Sequence, residues 1–275
     1  MKNSVLTFSK KKSEGKKITV LTAYDYTMAK LLNDSGVDAI LVGDSLGNVI
    51  LGYEDTLSVT MDDMVHHCRA VARAADQAMV VVDMPFMSYQ VSVEEALRNA
   101  GRLMQEGRAN AVKLEGGTRV CPQIRAMVEA GIPVMAHLGL TPQSINAFGG
   151  YRIQGKTQNQ AAKMLSDALA VQEAGAFSLV LECVPMQLAN LITKKLDIPT
   201  IGIGSGAGCD GQVLVAQDML GMTPGSSPKF VKRFAPVGEM IKQAASDYIK
   251  EVEDGTYPSE EHGFSIDDNI LEKLY

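Results

Sequence analysis

Residues 38–45, DAILVGDS, decide the fold: four apolar residues, Ala39 to Val42, run through Gly43 into Asp44 and Ser45. The same figure returns along the chain. AMVVVDMP (78–85) carries Asp83, AVKLEGG (111–117) carries Lys113 and Glu115, and IPVMAHLGL (132–140) carries His137. FSLVLECV (177–184) carries Glu182, and IPTIGIGSG (198–206) reaches Gly204 and Ser205. Short runs of Val, Ile and Leu without clean alternation predict strands buried on both faces. Helix-length stretches separate them, so the pattern is βα repeated. It predicts a (β/α)₈ barrel, in which the carboxyl ends of the strands converge on one ligand-binding face. Several carboxylates, a lysine and a histidine then meet there.

The chain has 275 residues, close to the roughly 250 of a closed barrel. The βα rhythm runs from Ile18 to about Leu220 without a Pro/Ser-rich linker, which predicts one domain over 1–275 with an N-terminal arm and a C-terminal helical tail. Hydrophobic residues make up 46%, enough for a sizeable core and against disorder. A formal net charge of −6 argues against a nucleic-acid partner, which would need a basic face. Asp44, Asp83 and Glu182 interrupt the best apolar stretches, so no membrane span is expected. The basic start, MKNSVLTFSKKKSEGKK, lacks the apolar core of a signal peptide and reads as a solvated arm before the first strand. Cys68, Cys121, Cys183 and Cys209 are scattered without a C-x-x-C pair, a usage that suits reduced thiols and a cytoplasmic protein.

Local signals agree. Strand one is ITVLTAYD (18–25), and strand eight, the weakest, is QVLVAQ (212–217). Helices are expected from about Thr27 to Gly36, Thr60 to Ala75, Val93 to Glu106, Pro122 to Ala130, Thr157 to Ala174 and Glu239 to Val252. Thr60 and Asp63 have capping-box spacing. Gly36, Gly107, Gly131 and Gly175 each end a helix before an apolar run.

Asp44 and Asp83 each follow apolar runs, where a carboxylate is expensive unless paired or metal-bound. Either alone reads equally as a helix cap or a salt-bridge partner. Together with Glu115 they form an oxygen-only set suited to a hard cation such as Mg²⁺. Zinc fits less well, because His137 is the one histidine at a strand end; His66 and His67 lie mid-helix and read as structural. Lys113 and Glu115 lie two apart in a strand and share a face. They could form an internal ion pair, or Lys113 could form a Schiff base. Nearby acids would raise its pKa, which favours a charge-stabilising role. His137 reads either as a core histidine or as a donor to a developing oxyanion; it precedes the polar stretch LTPQSINAFGGYRIQGK (140–156), long enough to form a lid. Glu182, in apolar surroundings, has the raised pKa wanted in a general base, or is a structural carboxylate on backbone amides. GIGSGAGCDGQ (202–212) sits where barrels often bind phosphate, but matches no nucleotide motif.

The strings LTAYDYTMAKLL, VGDSLGNVILGYEDTLSVT, DMPFMSYQ, VKLEGG, HLGLTPQS, GGYRIQGK, VLECVP and IGIGSGAGCDGQVLV closely resemble the ketopantoate hydroxymethyltransferase family, from about residue 4 to near Phe264. The resemblance implies a (β/α)₈ TIM barrel of the phosphoenolpyruvate/pyruvate-binding type and a Mg²⁺-dependent reaction. In it a hydroxymethyl group passes from 5,10-methylenetetrahydrofolate to 3-methyl-2-oxobutanoate, giving ketopantoate for pantothenate synthesis. It also implies a homo-oligomer, a decamer in many members. Its metal aspartates fall on Asp44 and Asp83, and its metal-associated glutamate on Glu115, directly or through water. Substrate contacts fall on Asp44, Ser45, Asp83 and Lys113, and the proton acceptor on Glu182. His137 matches the histidine of the H-x-G-L-T-P-Q motif. Met87, Asn48, Ala136 and Ser205 depart from the usual Gly, Met, Gly and Ala. Two alternatives stand beside this: a folate-independent, Mg²⁺-dependent lyase or aldolase of 2-oxo acids, and a non-catalytic 2-oxo acid-binding barrel.

Overall fold

In the computed structural model, which describes residues 2–150, 152–225 and 228–274, the apolar runs form strands β1 (Ile18–Thr22), β2 (Ala39–Val42), β3 (Met79–Asp83), β4 (Ala111–Glu115), β5 (Val134–Gly139), β6 (Ser178–Glu182), β7 (Thr200–Ile203) and β8 (Gly211–Leu214). They pair in parallel, each with the next and β8 with β1, to close a barrel. The chain divides into two compact units, residues 1–216 with 227–231 and residues 217–226 with 232–275. The first contains the barrel.

The strand period of two sorts the side chains. Ile18, Val20, Ala39, Leu41, Met79, Val81, Ala111, Met135, Val180, Ile201 and Val213 pack together as one inner cluster. Their neighbours, such as Ile40, Val80, Val82, Val112, Leu114 and Leu179, join the outer cluster under the helices. Strands β2 to β4 are buried along their whole length, as runs without alternation predict. β1 and β8 instead expose Thr19 and Gln212, which is why strand eight gave the weakest apolar signal.

The helices around the barrel are α1 (Val5–Ser13), α2 (Tyr26–Asp34), α3 (Leu46–Val49), α4 (Met61–Ala74), α5 (Val93–Gln105), α6 (Cys121–Glu129), α7 (Ile145–Phe148), α8 (Gln158–Glu173) and α9 (Met186–Lys195). Asp25, placed at the end of strand one, is the cap of α2 and accepts from the Met28 amide at 2.8 Å. The Thr60/Asp63 capping box forms as its spacing predicts. Gly36, Gly131 and Gly175 adopt positive φ after their helices. After α5 it is Arg108 that takes φ 62°; Gly107 is needed for closeness, since a Cβ there would meet the Leu103 carbonyl oxygen at 2.6 Å.

Residues 5–13, read as part of a solvated arm, are a helix. Phe8 is fully buried in the inner cluster and meets Phe177 edge-on, with ring centroids 5.5 Å apart. Lys11 and Lys12 pair with Asp38 and Asp210 at 2.5 and 2.8 Å. One aromatic side chain that plugs the barrel thus orders a segment whose charges suggested solvation. The four cysteines are free thiols. The second unit carries a helix over Val237–Glu253 with none of its residues buried. No helix among the described residues is long and apolar enough to cross a membrane.

Candidate active site

The parity that points Met79 and Val81 into the barrel also points Asp83 inward at the strand's carboxyl end. In β4 it does the same for Lys113 and Glu115, in β5 for His137, and in β6 for Glu182. The register then sets neighbours: Asp83 lies beside Lys113, and Glu115 beside His137. Asp44 follows the turn after β2, where its backbone N–H donates to Asp83 Oδ2 at 3.0 Å. Asp44, Asp83, Lys113, Glu115 and His137 are all buried, and Glu182 is half-buried. The structure thus brings together these predicted residues, with Ser45 beside them, its Oγ 2.8 Å from the Tyr24 hydroxyl.

Lys113 Nζ is 2.8 Å from Asp83 Oδ1 and 3.3 Å from His137 Nδ1. His137 Nδ1 is also 3.5 Å from Glu115 Oε1, and its Nε2 is 3.3 Å from Glu182 Oε2. Burial, the largest influence, and Lys113 lower the His137 pKa, but the Glu115 and Glu182 carboxylates outweigh them and raise it to about 9. Glu182 therefore does not sit in the apolar pocket its neighbours in the chain suggest; it faces an imidazole. Burial also lowers the Lys113 pKa, but Asp83, Glu115 and Asp44 together hold it above its ordinary value. A lysine kept protonated is a cation for an anionic group, not an amine nucleophile.

The set fits a hard cation. Asp44 is pushed well above the usual carboxylate range, first by burial and then by Asp83 and Glu115. Asp83 Oδ1 and Glu115 Oε1 are buried acceptors without a hydrogen bond among the described residues, although Lys113 Nζ lies 2.8 Å from the first. Unmet acceptors and excess negative charge are what a divalent ion would relieve. No group of three or more His, Cys, Asp or Glu among the described residues could hold an ion by itself. Asp44, Asp83 and Glu115 are the carboxylates that would face such an ion, with water completing its shell.

Two side chains were missed. Gln143 donates from Nε2 to Asp44 Oδ2 at 2.8 Å and to the Met84 carbonyl at 2.9 Å, while its backbone N–H donates to Glu115 Oε2 at 3.1 Å. Tyr89 donates its hydroxyl to Gln143 Oε1 at 2.8 Å and accepts from the Glu115 amide at 3.2 Å. Both sit in loops that follow a strand; the quoted motifs held them, Tyr89 in DMPFMSYQ and Gln143 in HLGLTPQS, without marking a role for either. The lid stretch includes a 3₁₀ turn, Pro142–Ser144, and α7; Tyr151 lies outside the described residues.

The glycines of 202–212 serve packing. A Cβ on Gly206 would meet Met186 at 2.6 Å, and Lys17 donates to the Ala207 and Cys209 carbonyls. Of the departures from the family pattern, Met87 stands at φ 65°, a conformation glycine adopts freely. Asn48 Nδ2 donates to the Tyr53 carbonyl at 3.0 Å. Ser205 Oγ donates to the Leu181 carbonyl at 2.7 Å and accepts from the Val184 amide at 3.1 Å, bracketing Glu182. Ala136 is buried in the outer cluster.

Fold and site define a (β/α)₈-barrel enzyme that works on a small molecule at the carboxyl ends of its strands. Solved barrels are similar throughout: phosphonopyruvate hydrolase in complex with oxalate and Mg²⁺ has a TM-score of 0.62 at 12% identity, covering 98% of this chain and 94% of its own. The lyase of 2,3-dimethylmalate, from the PEP mutase/isocitrate lyase superfamily, has 0.58 at 15%, covering 100% and 99%. Residues 2–260 match the family model for ketopantoate hydroxymethyltransferase. The 3-methyl-2-oxobutanoate hydroxymethyltransferases of Clostridium novyi (strain NT) and Enterococcus faecalis (strain ATCC 700802 / V583) are 64% and 60% identical over the full length of both chains. The chain belongs to the ketopantoate hydroxymethyltransferase family and is a transferase.

Proposed function

We propose that the hydroxymethyltransferase activity of this chain starts with removal of the C3 proton of 3-methyl-2-oxobutanoate by Glu182. The carbon nucleophile so formed attacks the methylene carbon of 5,10-methylenetetrahydrofolate and breaks one of its two carbon–nitrogen bonds; water then displaces the second nitrogen and supplies the hydroxyl, and the two folate nitrogens take up the protons. The product is ketopantoate, with tetrahydrofolate released. The observation that carries this reading is the half-buried Glu182 carboxylate at the strand end, 3.3 Å from His137.

The buried Lys113 cation and the Ser45 hydroxyl bind the substrate carboxylate and orient C3 toward Glu182. His137 holds Glu182 in place and, as an N–H donor, supports negative charge near the keto oxygen. Mg²⁺, held by Asp44 and Asp83 with Glu115 behind them, would act as a Lewis acid toward that oxygen. Family resemblance further supports assembly as a homo-oligomer, a decamer in many members, and residence in the cytoplasm.

The test is proton NMR of 3-methyl-2-oxobutanoate with the protein and Mg²⁺ in D₂O, followed by addition of the folate. Loss of the C3 signal, then ketopantoate, is expected; Glu182→Gln should stop both by about a hundredfold or more while the 2-oxo acid still binds. Normal exchange in that variant would refute the assignment of the base. Exchange with product that forms without folate would point to the lyase or aldolase reading.

A further inference from the structure

A cavity of about 520 Å³ opens beside the carboxylate cluster and shares Glu115, Gln143 and Tyr89 with it. This lies within the range of roughly 300–1,000 Å³ usual for ligand pockets, and a five-carbon 2-oxo acid held at Lys113 would leave most of it open. Phe86, Phe148 and Met164 supply flat and apolar wall, and Gln90, Gln123 and Gln154 supply amides. Gln123 is 9% exposed, and its Nε2 donates to the Tyr89 carbonyl at 3.2 Å. Its Oε1 is buried with no partner among the described residues, an acceptor lacking a donor. Exposed Arg119 also lines the cavity, and its guanidinium has no ion pair among the described residues. Lys163, by contrast, is bound to Asp167 at 2.9 Å.

Aromatic wall, an unmet amide acceptor and an unpaired cation are complementary to a flat heterocycle with N–H groups and an anionic tail. We infer that this cavity receives the one-carbon donor, its reduced pterin and aminobenzoyl part between Tyr89, Gln123 and Phe148 and its glutamyl carboxylates at Arg119. This rests on the folate-dependent reading above. The shared residues bring the donor's methylene carbon to the acid cluster, while the cation lies where a tail can leave toward solvent.

Two variants test it, chosen outside the proposed catalytic set. Arg119→Ala removes the cation, and Ala147→Trp fills the cavity from an exposed position on α7. Each should raise KM for 5,10-methylenetetrahydrofolate by about tenfold, the equivalent of one charge-assisted contact. KM for 3-methyl-2-oxobutanoate and its C3 exchange rate, which needs no folate, should stay within about twofold of wild type. Added salt should raise the folate KM of wild type and leave that of Arg119→Ala unmoved. An unchanged folate KM in both variants, or a parallel rise in KM for the 2-oxo acid, overturns the assignment of the cavity alone. A wild-type chain that exchanges the C3 proton yet makes no folate-dependent product overturns the functional reading and this inference with it.

Discussion

His137 spans two carboxylates: its Nε2 stands 3.3 Å from Glu182 Oε2 and its Nδ1 3.5 Å from Glu115 Oε1. The ring thereby ties the strand end that holds the proposed base to the one that faces the cation site. On the reading proposed above, the ring positions Glu182 and is not the proton acceptor. His137→Asn should slow C3 exchange by about ten- to hundredfold, the usual loss when a residue that orients a catalytic group is removed. NMR exchange in D₂O measures this, with a urea titration to show that the variant folds. Wild-type exchange in a folded variant would rule the role out.

Gln143 joins Asp44, the Met84 carbonyl and Glu115 through three hydrogen bonds of 2.8 to 3.1 Å. Without the side-chain amide, Asp44 loses its anchor. Gln143→Ala should raise the Mg²⁺ concentration that gives half-maximal activity by about tenfold, with a smaller change in far-UV circular dichroism than in activity. A Mg²⁺ dependence equal to that of wild type would show that Asp44 is held by other means.

The barrel was legible because burial on both faces leaves uninterrupted apolar runs, and the acids stood out because a carboxylate after such a run needs a reason to be there. Asp44, Asp83, Glu115 and Glu182 stood out this way, Lys113 and His137 by their place in the same kind of strand, and the structure brings the six together. Gln143 and Tyr89 were not, since a loop amide or phenol looks alike in sequence whether it faces water or a buried carboxylate. Phe8 gave a single apolar residue among lysines, too little to predict a helix that plugs the barrel. The imidazole facing Glu182 depends on the register of β5 against β6, in which Gly139 pairs with Glu182. Apolar patterning carries no such information.

Met87 occupies φ 65°, which costs an L-residue with a side chain about 1–2 kcal/mol, and it is 49% exposed, so little packing offsets that. Glycine removes the strain but adds about 0.5–1 kcal/mol of unfolded-state entropy. Met87→Gly should therefore equal or exceed wild type in stability, and should exceed Met87→Ala, which keeps the strain, by up to about 1 kcal/mol. Urea unfolding of the three proteins decides it. An Ala variant as stable as the Gly variant would mean that the loop relaxes at no cost.

Asp167, in α8, reaches across to the turn after β4. Its Oδ1 accepts from the Thr118 amide at 3.0 Å and hydroxyl at 2.6 Å, and Lys163 sits at 2.9 Å. The approach is so close that a Cβ on Gly117 would lie 2.2 Å from its carboxyl carbon. Burial, the largest influence, would raise its pKa, but Thr118 and Lys163 together hold it below the ordinary value. Folding therefore favours the charged form. The resulting stability is fully present above the unfolded pKa of about 3.9 and is lost as pH falls through the lower folded value. Asp167→Asn keeps an oxygen that accepts from Thr118 but loses the charge, and should be about 1 kcal/mol less stable at neutral pH. The difference should persist down to about pH 5 and shrink below about pH 4, as the wild-type carboxylate takes up its proton. Urea midpoints for both proteins, measured from neutrality downward over the range in which wild type folds, check the sign: a gap that widens with acid would mean that the carboxylate is held above, not below, its ordinary pKa.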